Sequence, residues 1–286
     1  MRRLPLVLCF LLVGSGCGQQ AASQQAAQPA GIAPTQRDTS DIARRLGDAV
    51  YAINPTTRTQ VAGVIVTGRR QHTGIAACLK LVGFPYPEYI EPLVDKSRLS
   101  ENRAVPSWIY TPDRARADLG FGVHSAGRPV TLRAGDAADP SVGMSAEDLA
   151  KYDEASARCA SQNEPQLDAQ DEMVRLLGEL ELITGRTVDT PGFLDVRQRY
   201  TTCMAEQGWD IGIPEDALNQ LTDETRGLGP EDELKMASSD FECRSPLYVD
   251  FVALRAADWD DWLTKNESAI ASLVKSWRDL EAEAGI

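Results

Sequence analysis

The sequence predicts a mainly α fold: a helical bundle braced by disulfides, built from two related helical units, with a long irregular insertion rich in aromatics and proline. Three observations predict it. Helix-start signals recur along the chain. Alternating β-branched runs joined by tight turns are scarce. Four cysteines beyond the N-terminal region fall into two similar local patterns.

The chain has 286 residues, enough for a substantial core. Hydrophobic residues make up 43% and charged residues 25%, which suits a globular protein. The formal charge is -13, so phosphate neutralisation by Lys and Arg is not to be expected, and nucleic acid is excluded as a partner. Electrostatic adhesion to anionic lipid is excluded on the same ground.

Residues 1–17 read MRRLPLVLCFLLVGSGC. Arg2 and Arg3 precede an apolar run from Leu4 to Val13, followed by the small residues Gly14, Ser15 and Gly16. This is the order of an export signal, and the run is too short to span a bilayer. The stretch resembles a bacterial lipoprotein signal, which implies cleavage after residue 16 and lipid on Cys17. Cysteine parity agrees. Of six cysteines, at 9, 17, 78, 159, 203 and 243, the first leaves with the signal. An acylated Cys17 leaves four that can pair. Simple secretion after cleavage near Ala22 is the alternative. Residues 17–40 are rich in Gln, Ala, Ser and Pro and hold almost no large apolar side chain, so they read as a disordered tether.

The helical domain is expected over 41–286. Its helices are expected near 41–48, 58–82, 112–118, 146–162, 166–184, 191–207, 214–221, 230–241 and 246–282. Ser145 followed by Glu147 and Asp148 reads as an N-cap with acids in the first turn. Thr190-Pro191, Gly229-Pro230 and Ser245-Pro246 place proline at the first helical position. Val61–Val66 and Val123–Leu132 are the only strand candidates. In the last helix Phe251, Trp259, Trp262, Leu273, Trp277 and Leu280 keep one face apolar. A tryptophan stripe at helical spacing is core rather than a sugar platform.

Unit one is expected over about 58–162 and unit two over about 166–286. Cys78-Leu79-Lys80-Leu81-Val82-Gly83-Phe84 and Cys203-Met204-Ala205-Glu206-Gln207-Gly208-Trp209 share cysteine, an apolar residue, glycine five positions on, then an aromatic. Each reads as a cysteine in the last turns of a helix that glycine ends. The later cysteines also correspond: Met144–Cys159 aligns with Leu228–Cys243 at a shift of 84. Four cysteines allow three pairings; the repeat favours Cys78 with Cys159 and Cys203 with Cys243. Zinc is a poor rival, because its sites want close pairs and the nearest two of the four cysteines, Cys203 and Cys243, are 40 residues apart.

Taken together, the lipoprotein-like start, the polar tether, the twice-used cysteine-glycine-aromatic element, Gly120-Phe121-Gly122-Val123 and the later helical cysteines resemble a broad set of uncharacterised secreted lipoproteins of high-GC Gram-positive bacteria. The prevalence of Arg over Lys fits that source. The resemblance implies an address, disulfides and a helical fold. It brings no activity and no functional residues.

No catalytic, metal or cofactor constellation stands out, and no cofactor is expected. The two histidines, His72 and His124, form no close ligand pair. No G-x-S-x-G elbow, Walker loop or dinucleotide fingerprint occurs. The unusual region is 84–121, which holds six of the 18 aromatics together with Pro85, Pro87, Pro92 and Pro106. A connection this long is often functional. Tyr86, Trp108, Tyr110, Phe121 and His124 are the candidate contacts for a ligand or partner; packing of these aromatics over the helices is the competing reading. The functional expectation is a membrane-tethered extracytoplasmic binding or protein-interaction module without catalysis, on the outer face of the cell membrane, meeting an envelope component or another exported protein. A carboxylate-based extracytoplasmic hydrolase and a structural envelope scaffold are the alternatives.

Overall fold

The computed structural model describes residues 36–87, 89–99, 102–124, 130–131, 140–165 and 167–286. The expected signal, Cys17 and most of the expected tether lie outside the described residues. The fold is mainly helical, as expected. Its helices are α1 (Gln36–Ile53), α2 (Thr57–Leu81), α3 (Arg114–Ala117), α4 (Ala146–Gln162), α5 (Asp168–Val188), α6 (Pro191–Glu206), α7 (Asp216–Thr222), α8 (Pro230–Ala253) and α9 (Ala256–Ala284). A two-residue ladder joins β1 (Leu93–Val94) antiparallel to β2 (Val130–Thr131), with Leu93 opposite Thr131 and Val94 opposite Val130.

Local chemistry accounts for most boundaries. Thr56 caps α2 by accepting a hydrogen bond from the Thr59 N–H. Ser145 caps α4 through the Asp148 N–H. Gly229 opens α8, where the Asp232 carboxylate reaches back to the Gly229 N–H and Pro230 occupies the first turn. The N-caps of α4 and α8 therefore keep the shift of 84 seen between their cysteines.

The two cysteine-bearing helix ends are built alike. Gly83 (φ +83°) and Gly208 (φ +88°) take the left-handed conformation after α2 and α6. The Phe84 N–H then donates to the Leu79 carbonyl, and the Trp209 N–H to the Met204 carbonyl. This is the same Schellman closure twice, and glycine is the residue that tolerates it. Cys78–Cys159 joins α2 to α4, and Cys203–Cys243 joins α6 to α8. These are the pairings favoured by the repeat, and they suit an oxidising compartment.

Two expectations need correction. First, residues 36–40 already belong to α1, so the tether cannot reach residue 40. Thr39, Ile42, Ala43, Leu46, Ala49, Val50 and Ile53 form its buried face, which draws these residues into the fold. Second, Pro246 does not start a helix. It lies inside α8, whose flanking residues Cys243, Leu247, Tyr248 and Phe251 are buried in the core. Packing on both sides outweighs the missing N–H, and Ser245 Oγ donates to the Phe241 carbonyl beside it. The break falls instead at Leu254–Arg255. The helix expected over 58–82 is α2, so the strand candidate Val61–Val66 lies within it as helix; Val61, Ala62, Ile65 and Val66 line one buried side of it. The second strand candidate does contain β2.

From α1 onward the chain forms one compact unit. One core cluster draws Leu46 from α1, Ile65 from α2, Leu180 from α5, Tyr200 from α6, Phe251 from α8 and Trp259 from α9, so units one and two share it. The last helix packs along α1, α2 and α5. Trp277 Nε1 donates to the Ile53 carbonyl at 3.1 Å, tying α9 to the end of α1. Ile75, Leu79, Ala155 and Cys159 make a separate small cluster between α2 and α4.

Candidate functional site

The region 84–121 divides into two parts with different fates. Residues 102–124 form a strap laid over α8 and the core. Trp108 is 2% exposed; its ring stacks on Phe251 and meets Phe193 and Tyr200 edge-on. Tyr110 is 8% exposed and packs edge-on against Tyr51. Two of the expected contact residues are thus core plugs, out of reach of a partner in this fold.

A strap with little regular structure must find partners for its backbone groups. Arg244 supplies several. Its buried guanidinium donates to the Ser107 and Val105 carbonyls and, at 2.9 Å, to that of Tyr110. It is neutralised by Asp240 one turn earlier at 2.6 Å, and Tyr200 Oη donates to the other oxygen of Asp240 at 2.9 Å. Burial works to lower the Arg244 pKa, but the charge and hydrogen bond of Asp240 outweigh it and hold the guanidinium above its ordinary value. Burial, then Asp240, drives Tyr200 far upward. Burial also pushes Tyr110 and Tyr248 up to about 12 each.

The far end of the strap is held by Glu233, in the first turn of α8 and 0% exposed. Its carboxylate accepts from the backbone N–H groups of Gly122, Val123 and His124. Glu233 therefore anchors the strap from the start of α8. Phe121 is half-buried beside the core, and His124 is exposed. His124 Nε2 lies 2.8 Å from the Leu221 carbonyl. A carbonyl only accepts, so that nitrogen carries hydrogen and is not a free base.

Residues 84–99 present a different surface. Tyr86 and Tyr89 stand half-exposed on α2, with ring centres 4.7 and 5.2 Å from the His72 ring. His72 Nε2 lies 2.6 Å from the Pro87 carbonyl, so it too is a donor. Arg69 pairs with Glu91 alongside. Sequence reasoning named Tyr86 but missed His72 and Tyr89 as its companions. The helical phase of Gly68 and His72, four residues apart on α2, is the signal that could have found them: Tyr89 Oη lies 3.1 Å from where a Gly68 Cβ would stand.

Several of the described acids are committed to other partners. Glu233 and Asp240 are spent on backbone N–H groups and on Arg244. Hydrogen bonds from Ser97 hold Asp95 below its ordinary range, and those from Thr225 do the same for Asp223. Glu172 is lowered by Arg175, and Glu179 is lowered although burial pushes it up, because Asn266 and Lys265 outweigh that burial. A general acid needs the opposite shift. One open surface depression of about 500 Å³ is lined by Asp38, Asp41, Ile42, Arg45 and Asp260, and a 2.7 Å bridge from Arg45 to Asp260 crosses it. Among the described residues no group of three or more His, Cys, Asp or Glu could hold a metal, and no helix is long and apolar enough to cross a membrane. No protein-family model, curated protein or solved structure matches the chain.

Proposed function

We propose that this protein is a lipid-tethered extracytoplasmic binding or protein-interaction module without catalysis. Cysteine use supports the address. Two disulfides occupy Cys78, Cys159, Cys203 and Cys243, so Cys17 is left for acylation once the leader is removed. The likeness of the leader to lipoprotein signals and the Gln/Ala-rich stretch behind it point the same way. Acyl chains at ~0.8 kcal/mol per buried CH₂ would give lasting attachment to the outer face of the cell membrane.

The observation that carries the binding reading is the half-exposed trio His72, Tyr86 and Tyr89. Planar side chains held by a rigid helix suit contact with an envelope component or an exported protein. A photo-crosslinking side chain at position 86, introduced in living cells, is expected to give a discrete adduct. The reading is overturned if that adduct is no stronger than one from exposed Glu154 on α4. The address has its own test: mass spectrometry is expected to find an acylated Cys17, and Cys17→Ser to release the protein into the medium.

A further inference from the structure

The two disulfides are embedded differently. Cys243 is 1% exposed and belongs to the main core with Tyr200, Met204 and Phe251, so parting α6 from α8 would open that core. Cys159 belongs to the small cluster with Ile75, Leu79 and Ala155. Along α4 only Ala155 and Cys159 are buried. Contacts at its margins also hold the helix, among them the Asn163 side chain on Gly74 and Phe84 edge-on to Tyr152 at 5.7 Å. Segments with so little buried apolar contact open locally while the rest stays folded. Each bridge pairs a buried cysteine with a half-exposed one, Cys159 (0% exposed) with Cys78 and Cys243 (1% exposed) with Cys203, so what sets the two bridges apart is the thin packing of α4.

We propose that Cys78 is a thiol-exchange site for a dithiol, and that reduction there releases α4 as an arm. A thiolate of the dithiol attacks Cys78 Sγ and forms a mixed disulfide. The Cys78–Cys159 bond breaks, its electron pair leaves on Cys159 Sγ, and that sulfur takes a proton from water as α4 lifts. The second thiolate then bonds to the first sulfur of the dithiol and displaces Cys78 Sγ, which leaves with the electron pair and takes a proton from water; the dithiol ends oxidised by two electrons and the protein with two thiols. Lifting α4 uncovers Ile75 and Leu79 on α2, an apolar strip the oxidised protein hides.

The exchange needs neither the lipid nor a partner on the aromatic trio, although Tyr86 packs against the same small cluster. The test uses the full mature chain under native conditions with dithiothreitol, sampled by alkylation and mass spectrometry. Cys78–Cys159 is expected to open at least about tenfold faster than Cys203–Cys243, with amide protection lost over 146–162 and kept over 191–206 and 230–253. With glutathione, a monothiol, the trapped adduct is expected on Cys78. Simultaneous opening, prior opening of Cys203–Cys243, an adduct on Cys159, or an α4 that stays protected after its bridge opens would each overturn it. As a second measurement, Cys78→Ala/Cys159→Ala is expected to lose protection in α4 alone; loss throughout the chain would overturn the arm.

Discussion

Residues 84–99 and 102–124 read alike in sequence, since both are irregular and carry prolines and aromatics, yet one lies on the surface and the other is built into the core. The difference is made by α8. Arg244 gathers three strap carbonyls and Glu233 three strap N–H groups, so 102–124 can be buried without stranding its backbone. The first segment has thinner support: the Pro87 carbonyl meets His72, Glu91 meets Arg69, and two residues join the short ladder. Its tyrosines stay partly open. An aromatic in an irregular stretch is thus core or surface according to what receives the peptide groups beside it.

The largest effect that would break this contrast is expected at the strap's anchor. Arg244→Met should cost about 3–5 kcal/mol, because it strands Asp240 and frees the Val105, Ser107 and Tyr110 carbonyls. Urea unfolding reads it, and a loss below about 1 kcal/mol would show that the strap is held some other way. Glu233→Gln, which keeps shape but weakens acceptance, is expected to cost about 1–3 kcal/mol and to speed amide exchange at Gly122, Val123 and His124 first. Gly47→Ala should cost about 1–3 kcal/mol, since the new Cβ would stand 1.7 Å from Thr111 Oγ1 at the strap's middle.

Alkali sharpens the comparison. Tyr110 and Tyr248, on the strap and under it, have folded-state pKa values raised to about 12, while the unfolded value is near 10. Folding therefore favours their neutral form. Their stabilisation is complete below about pH 10 and is lost as pH rises from there through about 12. Burial also raises Tyr86 and Tyr89, with no comparable value reached. Phenolate absorbance is expected to show those two ionising first and the buried pair only with unfolding. The smallest effect belongs to Tyr89→Ala. It should change stability by no more than about 1 kcal/mol while weakening the crosslink from position 86, which separates recognition from folding.

Much of the fold was legible because its signals are local. Thr190-Pro191, Gly229-Pro230, Ser145 with Asp148, and the two glycines behind Cys78 and Cys203 each mark a boundary within a few residues. The disulfide pairing followed from matching those boundaries. Pro246 misled because its usual meaning was overridden by burial of Leu247, Tyr248 and Phe251, which depends on helices far away in sequence. Trp108 and Tyr110 could not be placed for the same reason: their burial rests on Arg244, more than 130 residues on, and a lone arginine mid-helix looks like any other. His72 and Tyr89 lie 17 positions apart and meet only because the chain doubles back after Gly83.

The seam between α1, α2 and α9 sets the order in which the molecule can be made. Ile53 waits for Trp277 across 224 residues of chain. A polypeptide emerging from its amino end holds those parts of α1 and α2 that α9 covers bare until nearly all the rest has followed. Long-range closure of this kind is slow and exposes sticky surface meanwhile.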